Sequence, residues 1–151
     1  IYKRIHNPYV DRWYRAIRER SGIQLFEVAE RTAPMRYLRA GGRVGFVADQ
    51  YAGAAGIRVP FLNRPASTFR GPVQLADLTG SRMLFYSCVH LPGAKLRIRI
   101  QDLGFVDKDR FPDREAAIRH YTEEWVRALE RVIHDYPEQY FWVHRRWKNP
   151  R

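Results

Sequence analysis

The sequence has little sulfur and no long apolar stretch. A single cysteine in 151 residues excludes an internal disulfide framework and fits a reducing compartment. The longest apolar run, residues 83–89, falls far short of the roughly 20 residues that a membrane-spanning helix needs. Acidic residues are scarce, 16 against 27 lysines and arginines, which gives a net charge of +11. This excess indicates a polyanionic partner: nucleic acid, an anionic membrane, a phosphorylated lipid or an acidic protein.

The rest of the composition is that of a folded protein. Hydrophobic residues make up 45% and charged residues 28% of the chain, which allows a packed core and excludes wholesale disorder. The length is typical of one domain. The chain begins with Ile1 and opens on what resembles the end of a strand. We therefore expect residues 1–151 to be the C-terminal portion of a single domain that is incomplete at its N-terminus.

Apolar periodicity and capping residues predict alternating helices and strands. Val10, Trp13 and Ile17 recur at helical spacing after Pro8, and Asp113 is a suitable N-cap for the longest helical stretch. The predicted helices are 8–20, 35–40, 71–78 and 114–134, and the predicted strands are 23–26, 44–47, 83–89 and 95–101. Such alternation is typical of an α/β fold with a largely parallel sheet and flanking helices.

A long loop is predicted over residues 48–68, where Gly, Pro, Asn and Ser are dense. Asp49 and Gln50 follow the apolar run 44–47, which suits a strand buried on both faces, and Arg64 lies further along the loop. Open α/β sheets bind ligands at the carboxyl ends of their strands. Two interpretations stay open: Asp49 helps to bind a ligand, or it caps a turn while the glycines satisfy loop geometry.

The predicted strand 95–101 has two distinct faces. Leu96, Ile98 and Ile100 alternate with lysine, arginine and glutamine, so we expect the apolar face to be buried and the basic face exposed. Cys88 lies inside the apolar run 83–89 and is expected to be a packing residue. The histidines of the second half of the chain have no partners at ligand spacing, so no metal site is predicted.

Three segments resemble one family of enzymes. Residues 1–8 read Ile-Tyr-Lys-Arg-Ile-His-Asn-Pro, residues 41–80 contain Asp-Gln and then Val-Pro-Phe-Leu-Asn, and residues 136–148 read Tyr-Pro-Glu-Gln-Tyr-Phe-Trp-Val-His-Arg-Arg-Trp-Lys. They are similar to Val-Tyr-Arg-Pro-x-x-Asn-Pro, to Pro-Asp-Gln followed by Val-Pro-Phe-Phe-Gly, and to His-Pro-Glu-Gln-Trp-x-Trp-x-His-Arg-Arg-Trp-Lys. These patterns belong to the late acyltransferases of lipid A biosynthesis, the lauroyl/myristoyl transferases. The last segment is the most specific of the three.

The resemblance implies an acyltransferase of bacterial lipopolysaccharide biosynthesis with a glycerolipid-acyltransferase-like fold. Such an enzyme moves a fatty acyl chain from acyl carrier protein to a hydroxyl of a phosphorylated lipid A-type precursor. It would act at the cytoplasmic face of the bacterial inner membrane, anchored by a segment outside this chain. The acidic carrier, the phosphorylated acceptor and the anionic leaflet would account for the charge without nucleic acid. No cofactor or metal is implied, and the expected substrate-binding residues are Lys3, Arg4, Asp49, Gln50 and Arg64.

Four departures from the family pattern bear on catalysis. Lys3 replaces an arginine, so a two-pronged contact with phosphate or carboxylate becomes a point charge, and Arg4, in place of proline, can supply the lost guanidinium. Ala48 replaces the proline before Asp49. The family's His-x4-Glu or His-x4-Asp motif, which carries the general base and its carboxylate, is expected upstream of Ile1. We therefore assign no catalytic residue within this chain and expect the chain alone to be inactive.

His6 and Asp11 also have the His-x4-Asp spacing. Two residue types at one spacing arise often by chance, and the neighbouring residues resemble the segment that follows the catalytic motif in the family. We interpret Asp11 as a residue of the first helical turn, where a negative charge is favourable, and His6 as noncatalytic.

Two other functions stay open. Residues 12–15, Arg-Trp-Tyr-Arg, fit a basic nucleic-acid-binding module, although no helix-turn-helix, zinc or RNA-recognition signature accompanies them. A noncatalytic lipid-binding homologue is compatible with the departures at positions 3 and 48. For the acyltransferase, Arg145, Arg146 and Lys148 beside Trp142 and Trp147 predict a patch that binds an anionic membrane.

Overall fold

The computed structural model describes residues 1–30 and 32–148, and the chain divides into two compact units, Ile1–Val47 and Ala48–Arg151. The first unit contains helices α1 (Pro8–Arg20) and α2 (Thr32–Arg39). The second contains strands β1 (Ile57–Phe61), β2 (Arg64–Thr68), β3 (Met83–Leu91) and β4 (Lys95–Gly104) and helices α3 (Gly71–Thr79) and α4 (Arg114–Asp135). In the described ranges, no helix combines the length and apolar character needed to cross a membrane.

The helices of the first unit agree with the sequence, but its predicted strands do not form. α1 has the predicted bounds, and the Asn7 side chain caps it by accepting the N–H groups of Tyr9 and Val10. α2 begins three residues before its predicted start. Residues 23–26 and 44–47 are not strands; the described part of this unit has only an isolated parallel bridge between Tyr2 and Glu27. Short apolar runs become strands only where a neighbouring strand supplies a ladder.

The predicted largely parallel sheet is wrong for the described residues. The two sheets are both antiparallel and two-stranded, β1 with β2 and β3 with β4. Each pair joins strands that are consecutive in sequence through a turn of two or three residues, and so short a connection can join only antiparallel strands. A parallel pair would need a crossover of a dozen or more residues.

The β1–β2 hairpin occupies part of the predicted loop, and each of its strands contains a proline. Its turn residues, Leu62 and Asn63, both have positive φ (48° and 62°), which suits the twist of a two-residue hairpin. Pro60 and Pro65 are direct cross-strand partners, one pair beyond the pair that closes the turn. In an antiparallel ladder, hydrogen-bonded and non-hydrogen-bonded pairs alternate, so prolines at this second pair remove no ladder hydrogen bond.

Helix α4 supplies much of the core of the second unit. The Asp113 side chain accepts the N–H of Ala116 at 2.7 Å, the N-cap that the sequence predicts. The Glu130 carboxylate accepts the N–H of Leu62 at 2.6 Å and so holds the β1–β2 turn against the helix. The buried side chains of α4 are Ala117, Ile118, Tyr121, Thr122, Trp125, Val126, Ala128 and Ile133.

The β3–β4 hairpin exposes the face that was predicted to be buried. Leu96, Ile98 and Ile100 are 57%, 65% and 68% exposed. Cys88, the cross-strand partner of Ile98, is exposed as well, so its predicted packing role is also wrong. Side chains of directly paired residues share one face of the hairpin, so these four residues form a continuous apolar surface.

The basic side chains of β4 are instead bonded to the end of α4 and the residue after it. Arg99 forms an ion pair with Asp135 at 2.5 Å, and the Arg97 guanidinium donates to the hydroxyl of Tyr136 at 2.7 Å. The alternation of the sequence correctly separated two faces, and its basic side chains are exposed as predicted, because Arg97 and Arg99 remain exposed while they bond to these polar partners.

Candidate functional site

Asp49 lies in the segment that precedes the β1–β2 hairpin. Asp49 as a whole is half-buried. Its Oδ1 atom is fully buried and has no hydrogen-bond partner among the described residues. Its carbonyl oxygen accepts the hydroxyl of Tyr140 at 3.1 Å. A buried carboxylate oxygen without a donor is costly, so an opposite charge nearby is needed to stabilise it.

That charge is the guanidinium of Arg146, which is only 1% exposed. It donates to the carbonyl oxygen of Ser67 and to the hydroxyl of Thr68, the latter at 2.7 Å, and it lies 5.0 Å from the ring centroid of Phe61. These contacts fix the guanidinium at the end of β2. The expectation that Arg146 belongs to an exposed membrane patch is therefore wrong, because its side chain forms part of the interior.

The electrostatics couple Arg146 to Asp49 and Tyr140. Burial lowers the pKa of Arg146, and the charges of Tyr140 and Asp49 oppose that shift. Burial raises the pKa of Tyr140, with Arg146 acting in the opposite direction. An arginine remains protonated at neutral pH despite such a shift, so Arg146 is a fixed cation within electrostatic range of the Asp49 carboxylate, although no ion pair joins the two among the described residues.

The aromatic–basic segment, residues 136–148, holds this arrangement together. The N–H of Tyr51 donates to Nε2 of His144 at 2.8 Å, and the Trp147 indole donates to the carbonyl oxygen of Phe61 at 3.3 Å. The Phe61 ring packs on Trp147 and Tyr140 at centroid distances of 5.5 and 5.9 Å. By accepting this hydrogen bond, the His144 side chain holds the segment that contains Asp49 and Tyr51 in place.

The sequence did not assign Tyr140 or His144 to the site, although both lie in its most specific segment. Gln50 is exposed and has no hydrogen-bond partner in the part of the chain that the structure describes. Arg64, the first residue of β2, is exposed, and its guanidinium lies 5.3 Å from the Trp147 ring centroid. The polar ends of both side chains are accessible to a ligand.

In the first unit, Lys3 and Arg4 are exposed on the segment ahead of α1. Asp11 is 5% exposed, and its two carboxylate oxygens accept the hydroxyl of Tyr2 at 3.5 Å and the N–H of Ile5 at 2.9 Å. No hydrogen bond joins His6 to Asp11 among the described residues. That this pair is noncatalytic stays a prediction.

The exposed part of the aromatic–basic segment is apolar as well as basic. Phe141, Trp142 and Val143 are 57%, 48% and 79% exposed, and Arg145 and Lys148 are exposed beside them. We call these five residues the tail patch. Exposed apolar side chains that adjoin one another mark a candidate interaction surface.

Within residues 1–30 and 32–148, no group of three or more His, Cys, Asp or Glu side chains is placed to hold a metal ion. The family model described as bacterial lipid A biosynthesis acyltransferase matches residues 1–149, almost the whole chain. A search of curated proteins gives no match.

Proposed function

The chain belongs to the bacterial lipid A biosynthesis acyltransferase family, and on that premise we propose a specific reaction for the enzyme that contains it. The enzyme transfers a fatty acyl group from acyl carrier protein to a hydroxyl of a phosphorylated lipid A-type precursor. It acts at the cytoplasmic face of the bacterial inner membrane. The observation that carries this proposal is the family match over residues 1–149.

The proposed reaction is an acyl transfer from a thioester. A general base removes the proton of the acceptor hydroxyl, the oxygen attacks the thioester carbonyl, an ester C–O bond forms and the C–S bond breaks. The proton returns to the departing thiolate of the carrier. Developing negative charge on the carbonyl oxygen has to be met by preorganised donors.

Each expected substrate-binding residue has a proposed role. Asp49, whose carbonyl oxygen accepts the hydroxyl of Tyr140, organises the segment on which the exposed amide of Gln50 contacts polar substrate groups. Arg64 presents a cation at the start of β2. In the first unit, Lys3 and Arg4 supply exposed positive charge for the anionic groups of substrate or carrier.

Asp49→Ala is expected to lower turnover of the enzyme by about tenfold or more, equivalent to about 1.4 kcal/mol of barrier, because the segment loses the carboxylate that faces Arg146. Asp49→Asn keeps the volume and tests the charge alone. Initial rates of acyl transfer are compared with those of Asp109→Ala, which removes an exposed carboxylate of the same unit. Turnover of a folded Asp49→Ala protein equal to that of the control removes Asp49 from the site.

The tail patch is proposed to attach the enzyme to anionic lipid. Each lysine or arginine near such a surface contributes about 1 kcal/mol, so Arg145→Gln with Lys148→Gln is expected to weaken vesicle binding by roughly 10- to 30-fold. The loss shrinks at high salt because the interaction is screened. Co-sedimentation with phosphatidylglycerol vesicles measures it.

A matched control, Lys108→Gln with Arg110→Gln, removes two other exposed cations and changes the net charge by the same amount. Equal weakening by both double variants contradicts a specific tail patch and indicates only the overall charge. Tight binding to duplex DNA with a steep salt dependence, without vesicle binding, supports the nucleic-acid-binding alternative instead.

A further inference from the structure

A cleft of about 390 Å³ opens along one face of α1 in the first unit. Arg12, Arg15 and Glu19 line it from one side of the helix, since residues three or four apart are neighbours on a helical surface. Arg4, which precedes the helix, and Asp11 line it as well. The volume is within the range of small-ligand sites.

The two carboxylates of the cleft already have partners. Asp11 is buried and accepts the N–H of Ile5 and the hydroxyl of Tyr2. Glu19 lies 3.6 Å and Glu27 3.7 Å from the guanidinium of Arg15, which also donates to the hydroxyl of Tyr2 at 3.2 Å. These groups therefore form the structural wall of the cleft, and neither carboxylate is directed to the remaining cations.

Arg4 and Arg12 are the remaining cations. Both are exposed, and neither side chain has a hydrogen-bond or ion-pair partner in the part of the chain that the structure describes. The guanidinium fork matches the oxygens of a phosphate group, with charge-assisted hydrogen bonds that are about twice as strong as neutral ones.

We propose that this cleft is a phosphate-binding site in which Arg4 and Arg12 contact the phosphate oxygens. Two sources carry the same chemistry: a phosphorylated sugar headgroup, or the phosphate of a carrier's pantetheine arm. The choice between these sources rests on the proposed function, whereas the binding of phosphate does not.

The test follows arginine Nε–H and backbone resonances of the whole chain during titration with inorganic phosphate at constant ionic strength. Saturable shifts at Arg4 and Arg12 are expected, with a dissociation constant on the order of 1 mM. Arg4→Gln and Arg12→Gln should each weaken binding by about fivefold or more, whereas Arg12→Lys should lose less because it keeps the charge. Arg20→Gln, which removes an exposed cation at the end of the same helix, should change it by less than about twofold.

Non-saturable shifts would overturn the proposed site, as would equal weakening of phosphate binding by Arg12→Gln and Arg20→Gln. Either result would mean that phosphate is attracted only diffusely to a cationic chain. Titration with glucosamine 1-phosphate and with 4′-phosphopantetheine then separates the sources. Tighter binding of the first supports a glycolipid headgroup, and tighter binding of the second supports the carrier arm. If neither binds more tightly than inorganic phosphate, the site recognises the free ion, and both assignments of source fail although the proposed acyl transfer is untouched.

Discussion

Arg146→Met is expected to lower the free energy of unfolding by about 2–3 kcal/mol. The substitution removes the donors to the Ser67 carbonyl and the Thr68 hydroxyl, and it leaves the Asp49 carboxylate without its buried counter-charge. Methionine fills part of the volume but cannot satisfy these groups. For a chain of this length the loss corresponds to a fall in Tm of roughly 4–12 °C, measured by calorimetry or circular dichroism.

Arg145→Met is the matched control for this prediction. It makes the same chemical change at the adjacent position, where the side chain is exposed, and it is expected to alter stability by less than about 0.5 kcal/mol. Arg146→Lys should fall between the two, since an ammonium keeps the charge but not the two-pronged donation. Equal stabilities of the Arg145→Met and Arg146→Met proteins would mean that the interior does not depend on this guanidinium.

The 151-residue chain by itself is expected to transfer no acyl group above background. Within the chain, the His-x4-Asp spacing occurs at His6 and Asp11. The Asp11 carboxylate, however, accepts hydrogen bonds from the Tyr2 hydroxyl and the Ile5 N–H. Loss of general-base catalysis typically costs about 10²–10⁴ in rate. The activity of the chain is measured as the transfer of a radiolabelled acyl group from acyl carrier protein to a lipid A precursor.

A longer chain that carries the family's His-x4-Glu motif ahead of Ile1 is expected to be active. In that protein, His6→Ala should leave the rate unchanged, whereas alanine at the histidine of the motif should reduce it by about 10²–10⁴. Activity of the short chain that disappears on His6→Ala would show that His6 is the base and that the proposed assignment is mistaken.

The sequence by itself determined the principal helices and the family. The bounds of α1 follow from Pro8 and the apolar spacing, and the start of α4 follows from Asp113. These features depend on residues within one or two turns of each other. The family resemblance, which rests on linear motifs, is confirmed by the match over residues 1–149.

The pairing of strands and the identity of the buried faces were decided only by the tertiary structure. Prolines made residues 57–68 look like a loop, and their place in the ladder became clear only with the register that puts Pro60 opposite Pro65. In the same way, the apolar face of β4 that includes Leu96 is exposed, and Arg99 on the opposite face bonds to Asp135, 36 residues further along the chain, a partner that the alternation does not reveal.

Arg146 shows the same limit at the candidate site. In the sequence, Arg146 lies within a basic run between Arg145 and Lys148, and such runs are usually solvated. Its burial depends on acceptors at Ser67 and Thr68 and on Asp49, which are nearly 80 to 100 residues away. Periodicity records which residues share a face, whereas burial depends on which distant groups can satisfy a charge once water is removed, and that is a property of the folded chain.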